Sequence, residues 1–91
     1  MDPAARIRQA NNQVSCDLDE ETVILHLENS LYYGTDRVGA CIWEALRRPA
    51  RIDEICAAVM ERFEVDEDRC RADVAKFLDR LRAAGLLDVI A

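Results

Sequence analysis

The stretch Leu31-Tyr32-Tyr33-Gly34-Thr35-Asp36-Arg37-Val38-Gly39-Ala40-Cys41-Ile42-Trp43 reads as a short strand with paired tyrosines that runs straight into an amphipathic helix. Thr35 or Asp36 can cap the free amides of that helix. Val38, Cys41, Ile42, Ala45 and Leu46 follow the i, i+3, i+4, i+7, i+8 stripe of a packed helix. Pro49 ends it, because a residue before proline is pushed out of helical geometry. A strand that comes last in a small sheet and leads directly into a helix leaves a row of backbone N–H and C=O groups unpaired. Such an edge can accept another chain.

Upstream, Val14, Cys16 and Leu18 alternate with polar residues, and Val23, Leu25 and Leu27 do the same, which is the period-2 pattern of half-buried strands. Asp19-Glu20-Glu21 makes the first turn. Asn29-Ser30 makes the second, and a two-residue hairpin there sets Glu28 opposite Leu31, Leu27 opposite Tyr32 and His26 opposite Tyr33. Tyr32 then shares the core face with Leu27. Residues 1–12 show no sustained period and read as a flexible N-terminal arm, leaving 13–91 as the folded domain.

Downstream, a second helix fits Ile52 to Phe63, with Ile55, Cys56, Val59 and Phe63 on its apolar side and a poor N-cap. A third begins at Asp66, with Glu67 and Asp68 favouring its positive end and Cys70, Val74, Phe77, Leu78 and Leu81 along one stripe. Gly85 stands where a helix needs a left-handed residue to stop, so Leu86 and Leu87 can fold back onto the core. The predicted class is α+β: a three-stranded antiparallel sheet followed by three helices, close to a winged helix-turn-helix.

A chain of 91 residues supports one modest core. Its 18 acidic against 12 basic residues give a formal charge of −6, which disfavours a partner held through phosphates. Cys16, Cys41, Cys56 and Cys70 show neither a CxxC pair nor a matching histidine cluster, so free thiols in a reducing cytosol are expected, with no metal or other cofactor. No apolar run reaches signal-peptide or membrane-span length, so a cytoplasmic protein away from membranes is expected.

Catalytic candidates are few. His26, the only histidine, has no cysteine or serine placed to make a nucleophile–base pair and is expected to face solvent. Asp66, Glu67 and Asp68 are explained by helix capping, and Trp43 by the core. Arg69, Arg71, Lys76, Arg80 and Arg82 give the third helix a basic aspect, the feature that a winged-helix DNA-binding regulator would use. Interleaved Asp66, Glu67, Asp68, Asp73 and Asp79 point instead to a solvated face, or to one that meets acidic peptide side chains. A small metal-binding domain or enzyme built on the cysteines is a further alternative.

The run from Tyr32 to Leu46, then Asp53-Glu54-Ile55, Asp73-Val74-Ala75-Lys76-Phe77-Leu78-Asp79-Arg80-Leu81 and Gly85-Leu86-Leu87, resembles the PqqD-like family of precursor-peptide recognition elements. The likeness covers about Gln13 to Ile90, and Tyr-Tyr-Gly with Val-Gly-Ala-x-Ile-Trp is most similar to the stand-alone members of lasso-peptide pathways. It implies a non-catalytic protein that binds a precursor's N-terminal leader as an antiparallel strand beside its third strand. It also implies two partners, a cysteine-protease-like leader peptidase and a macrolactam cyclase. Carried onto this chain, the pairing edge is Leu31, Tyr32, Tyr33 and Gly34 with Leu27 nearby, and the groove wall is Cys70, Asp73, Val74 and Phe77. Tyr33→Ala or a charge at Val74 is then expected to weaken leader binding without unfolding the protein. Two departures stand out: Arg51 replaces the usual threonine cap of the second helix, and Thr35 replaces the usual aliphatic residue before the cap of the first.

Overall fold

The computed structural model describes residues 4–90. Four strands, β1 (Arg6–Gln9), β2 (Gln13–Leu18), β3 (Glu21–His26) and β4 (Tyr32–Thr35), precede helices α1 (Arg37–Ala45), α2 (Ile52–Arg62) and α3 (Glu67–Ala83), and β5 (Leu87–Ile90) follows. The expected antiparallel sheet is present in the order β2-β3-β4, and a second, two-stranded ribbon joins β1 to β5.

That ribbon corrects the flexible arm. Arg6 to Gln9 pair with Ile90 to Leu87, Ile7 is fully buried, and its N–H and C=O both bond Ala50 (2.8 and 2.9 Å). Gln9 is held through its N–H to the Leu46 carbonyl and its Nε2 to the Trp43 carbonyl, both 2.8 Å. One large apolar side chain with small Ala5 and Ala10 is enough here, because neighbouring segments accept the backbone hydrogen bonds. Residues 1–3 of the predicted arm lie outside the described residues.

The helix ends follow their local chemistry. Asp36 caps α1 by accepting the Gly39 N–H at 2.7 Å, and Asp66 caps α3 by accepting the Arg69 N–H at 2.8 Å. Arg51 cannot cap with its own side chain, and Glu54 reaches back instead to its backbone N–H (2.9 Å). At the end of α3, Gly85 (φ +74°) bonds the Arg82 carbonyl and Leu86 the Leu81 carbonyl, both at 3.0 Å, which is a Schellman closure. It turns the chain into β5.

The β3–β4 hairpin differs from the expected one by two residues. Leu25, not Leu27, lies opposite Tyr32, and Ile24 lies opposite Tyr33. A four-residue turn, 27–30, replaces the two-residue one. Asn29 Oδ1 takes the Leu31 N–H (2.9 Å), and Ser30 (φ +60°) bonds the His26 carbonyl (2.9 Å).

The buried face of the sheet is also the opposite of the expected one. Thr22, Ile24 and His26 are buried, whereas Tyr32, Leu18 and Val14 are 71, 56 and 57% exposed and Leu27 is exposed with them. The inner polar groups are satisfied. The Thr22 N–H donates to Thr35 Oγ1 (3.1 Å), the Thr35 hydroxyl donates back to the Thr22 carbonyl (3.2 Å), and the Thr22 hydroxyl bonds Asp17 (3.0 Å). His26, expected in solvent, accepts the Glu28 N–H on Nδ1 (3.2 Å). Thr35 therefore has a structural reason to stand where an aliphatic residue was anticipated: it ties β4 to β3.

Ile24 meets a core built from Ile7, Ile42, Trp43, Leu46, Ile55, Cys56, Val59, Cys70, Val74, Leu78, Leu81 and Leu86. The cysteines are all free, with Cys16 exposed and the other three buried. Among the described residues no helix is long and apolar enough to cross a membrane, and no cluster of metal-ligating side chains occurs.

Candidate functional site

Strand β4 forms one margin of its sheet, with β3 on one side and no strand on the other among the described residues. The N-terminal strand β1 pairs with β5 and not with this margin. The His26 N–H bonds the Leu31 carbonyl at 2.9 Å, which marks that pair as hydrogen-bonded. Antiparallel pairs alternate, so Tyr33 opposite Ile24 also turns its backbone toward β3. The N–H and C=O groups of Tyr32 and Gly34 therefore point to the open side.

Between this margin and α3 runs a continuous groove. One part, of about 500 Å³, is lined by Gly34, Thr35 and Asp36 from β4 and the α1 cap, and by Arg69, Asp73, Lys76, Phe77 and Arg80 from α3. Gly39 lets α1 approach α3 here, since a methyl group at that position would lie 3.2 Å from the Phe77 ring. The other part, of about 360 Å³, shares Gly34, Thr35, Phe77 and Arg80 and adds Ile24, Tyr33, Leu81, Ala83 and Ala84. Phe77 and Arg80 sit at the junction. A methyl group at Gly34 would meet nothing within 4 Å, because it would point to the outer side of the sheet with Tyr32.

The structure places the anticipated residues unequally. Tyr33, Gly34, Asp73 and Phe77 line the groove. Tyr32 faces the outer side of the sheet, and Leu27 and Leu31 are exposed in and beside the turn. Cys70 and Val74 are buried in the core and border a different depression, against Val59, Phe63 and Val65. A charge at Val74 would therefore break the core, and the stability-neutral outcome expected from sequence does not hold there. Lys76, Arg80, Leu81, Ala83 and Ala84 were not singled out as groove residues. Leu81 belongs to the buried stripe and reaches the groove from it, whereas Lys76 and Arg80 lie one helical ridge away, and the signal that could have found them is the i, i+3, i+4, i+7 series Asp73, Lys76, Phe77, Arg80.

Burial pushes the Cys70 thiol up from 9.0 to about 11, reinforced by the neighbouring Cys56, whose carbonyl accepts its S–H at 3.7 Å. The Cys41 thiol is raised by burial as well. Such thiols are poor nucleophiles, because the thiolate is the reactive form. On α3, Arg69 pairs with Asp73 (3.8 Å) and Arg71 with Glu67 (3.4 Å). Charge pairing along the helix leaves little of the uniform positive face that a DNA-reading helix presents.

Two solved structures share this architecture. One, described as TbiB1 in complex with the TbiA(beta) leader peptide, is 34% identical with a TM-score of 0.82, over 89% of this chain and 94% of that one. The other, described as lasso peptide synthetase B1 complexed with the leader peptide, shows the same fold at 17% identity, with a TM-score of 0.78 over 90% and 96% of the two chains. Among curated proteins none matches the chain. Residues 21–87 match the family described as coenzyme PQQ synthesis protein D, a span that takes in the hairpin, the open margin and all three helices. This protein belongs to the PqqD family.

Proposed function

We propose that the protein is a non-catalytic recognition element that binds the leader segment of a ribosomally made precursor peptide. The leader adds as an antiparallel strand to β4 beneath α3, and the complex is delivered to a leader peptidase and cyclase of the lasso-peptide type. The observation that carries this reading is the open β4 margin, where the backbone of Tyr32 and Gly34 faces a groove walled by Asp73, Phe77 and Arg80. The leader-bound state of the 34% identical TbiB1 structure supports it.

Magnitudes indicate how affinity is divided. Two outward-facing residues offer two donors and two acceptors, and each hydrogen bond contributes about 0.5–1.5 kcal/mol net. Ordering a flexible peptide costs several kcal/mol, so the strand bonds alone give weak binding. Side chains seated near Tyr33 and Phe77 must supply the remainder.

The test uses a fluorescein-labelled TbiA(beta) leader peptide, the ligand of the 34% identical structure. Gly34→Pro removes an N–H that faces the open side and costs no bond to β3, a position where an edge strand tolerates proline. Fluorescence polarisation should show at least tenfold weaker binding, with an unchanged circular dichroism spectrum. Equal affinity for the variant and the parent would overturn strand addition.

A further inference from the structure

We propose that the β4–α3 groove is graded from cationic to apolar along its length, and so selects peptides with an acidic side chain N-terminal to their apolar anchors. This rests on the strand-addition reading.

The groove lining is net positive on a chain that is acidic overall. The chain is acidic overall, at −6, and seven of its cations, at positions 8, 37, 47, 51, 62, 69 and 71, are in ion pairs. Lys76 and Arg80, both in the groove, have no such partner among the described residues. The two acids that share the lining are already engaged: Asp36 by the Gly39 N–H at 2.7 Å, and Asp73 by Arg69 at 3.8 Å. The half near Thr35 and Asp36 thus sets three cations, Arg69, Lys76 and Arg80, against two carboxylates, a net positive charge with Lys76 and Arg80 free of ion pairs. The half near Tyr33 offers Ile24, Leu81, Ala83 and Ala84, with Arg80 only at its boundary.

Direction follows from topology. Residues 69–77 of α3 stand against the C-terminal end of β4, and residues 77–84 against its Tyr33 end, so α3 runs opposite to β4. A guest strand antiparallel to β4 runs the same way as α3. Its N-terminal part passes Lys76 and Arg80, and its C-terminal part passes Tyr33, Leu81 and Ala84. A peptide with the reverse order would place a carboxylate against the apolar half and leave both cations unmatched, losing at each end.

The experiment selects binders from an mRNA-displayed library of random 15-residue peptides on the immobilised protein. It repeats the selection on Gly34→Pro and on the double variant Lys76→Glu/Arg80→Glu, whose positions are exposed on α3. The expected result is enrichment of peptides with Asp or Glu ahead of their apolar residues. The best of these should bind the double variant about tenfold more weakly by fluorescence polarisation, lose affinity between 50 and 500 mM salt, and fail to bind Gly34→Pro. Selection on the double variant should replace the acid with Lys or Arg. Peptides that lose binding to Gly34→Pro yet show no acidic preference, or carry the acid after the apolar residues, overturn the graded groove and leave strand addition standing. Binders indifferent to Gly34→Pro, or no binders at all, overturn both.

Discussion

The two faces of the β2-β3-β4 sheet differ in a way that composition alone inverts. The inner face carries Thr22, Ile24, His26, Tyr33 and Thr35, and it is the packed one. The outer face sets Val14, Leu25 and Tyr32 in one cross-strand row and Cys16, Val23 and Gly34 in the next, and much of it is open. Hydroxyls and an imidazole are buried cheaply because each finds a hydrogen-bond partner. The apolar side chains Val14 and Tyr32 stay exposed on the outer side. Alternation along a strand shows that its faces differ, but what packs against the sheet decides which one is covered.

The largest effect that would break this comparison is at Ile24. Ile24→Ala should cost about 2–5 kcal/mol in urea denaturation, whereas Val14→Ala in the outer row should stay within about 0.5 kcal/mol. Comparable losses at both sites would mean the outer face is packed as well. Next comes Thr35→Val, which keeps the shape but leaves the Thr22 N–H and C=O without their side-chain partner. It should cost about 1–3 kcal/mol by the same measurement, and a neutral result would remove the hydroxyl from the account of the inner face.

Thiol chemistry sharpens the contrast further. In the native protein only Cys16, on the outer face, should react rapidly with a disulfide reagent at pH 8, and the other three should react only on unfolding. More than one fast thiol would contradict the buried positions of Cys41, Cys56 and Cys70. The raised Cys70 value also fixes a pH dependence. The folded state holds this proton more tightly than the unfolded chain does, so its contribution to stability is complete below pH 9.0 and is lost as pH rises through about 11. Smallest of all, replacing Cys70 with Ala should flatten the alkaline decline in stability over that window, and an unaltered slope would assign the decline to other groups.

The helices were legible because their signals are local. Asp36 and Asp66 cap as their positions require, and Gly85 stops α3 through a left-handed turn that few other residues adopt. The open β4 margin was legible for the same reason: the last strand of the sheet runs straight into a helix, so no later strand of the hairpin series pairs with it. What stayed hidden depends on distant contacts. Nothing near Ile7 announces that Ala50 and β5 will receive it. Cys70 and Val74 stand on the apolar stripe that the sequence shows, and the packing of α2 against α3 decides that they serve the core and not the groove wall that the resemblance implied. The groove wall sits one ridge further round, on residues that look like ordinary surface charge.

The β1–β5 ribbon has a consequence for engineering. Arg6 lies opposite Ile90, so the chain enters and leaves the fold side by side, and no residue of either strand lines the groove. The whole module can be grafted into a surface loop of a host enzyme across a gap of roughly 5 Å, the spacing of paired strands. The same adjacency lets a short tether join β1 to β5 and new ends be opened elsewhere, with the β4–α3 groove untouched.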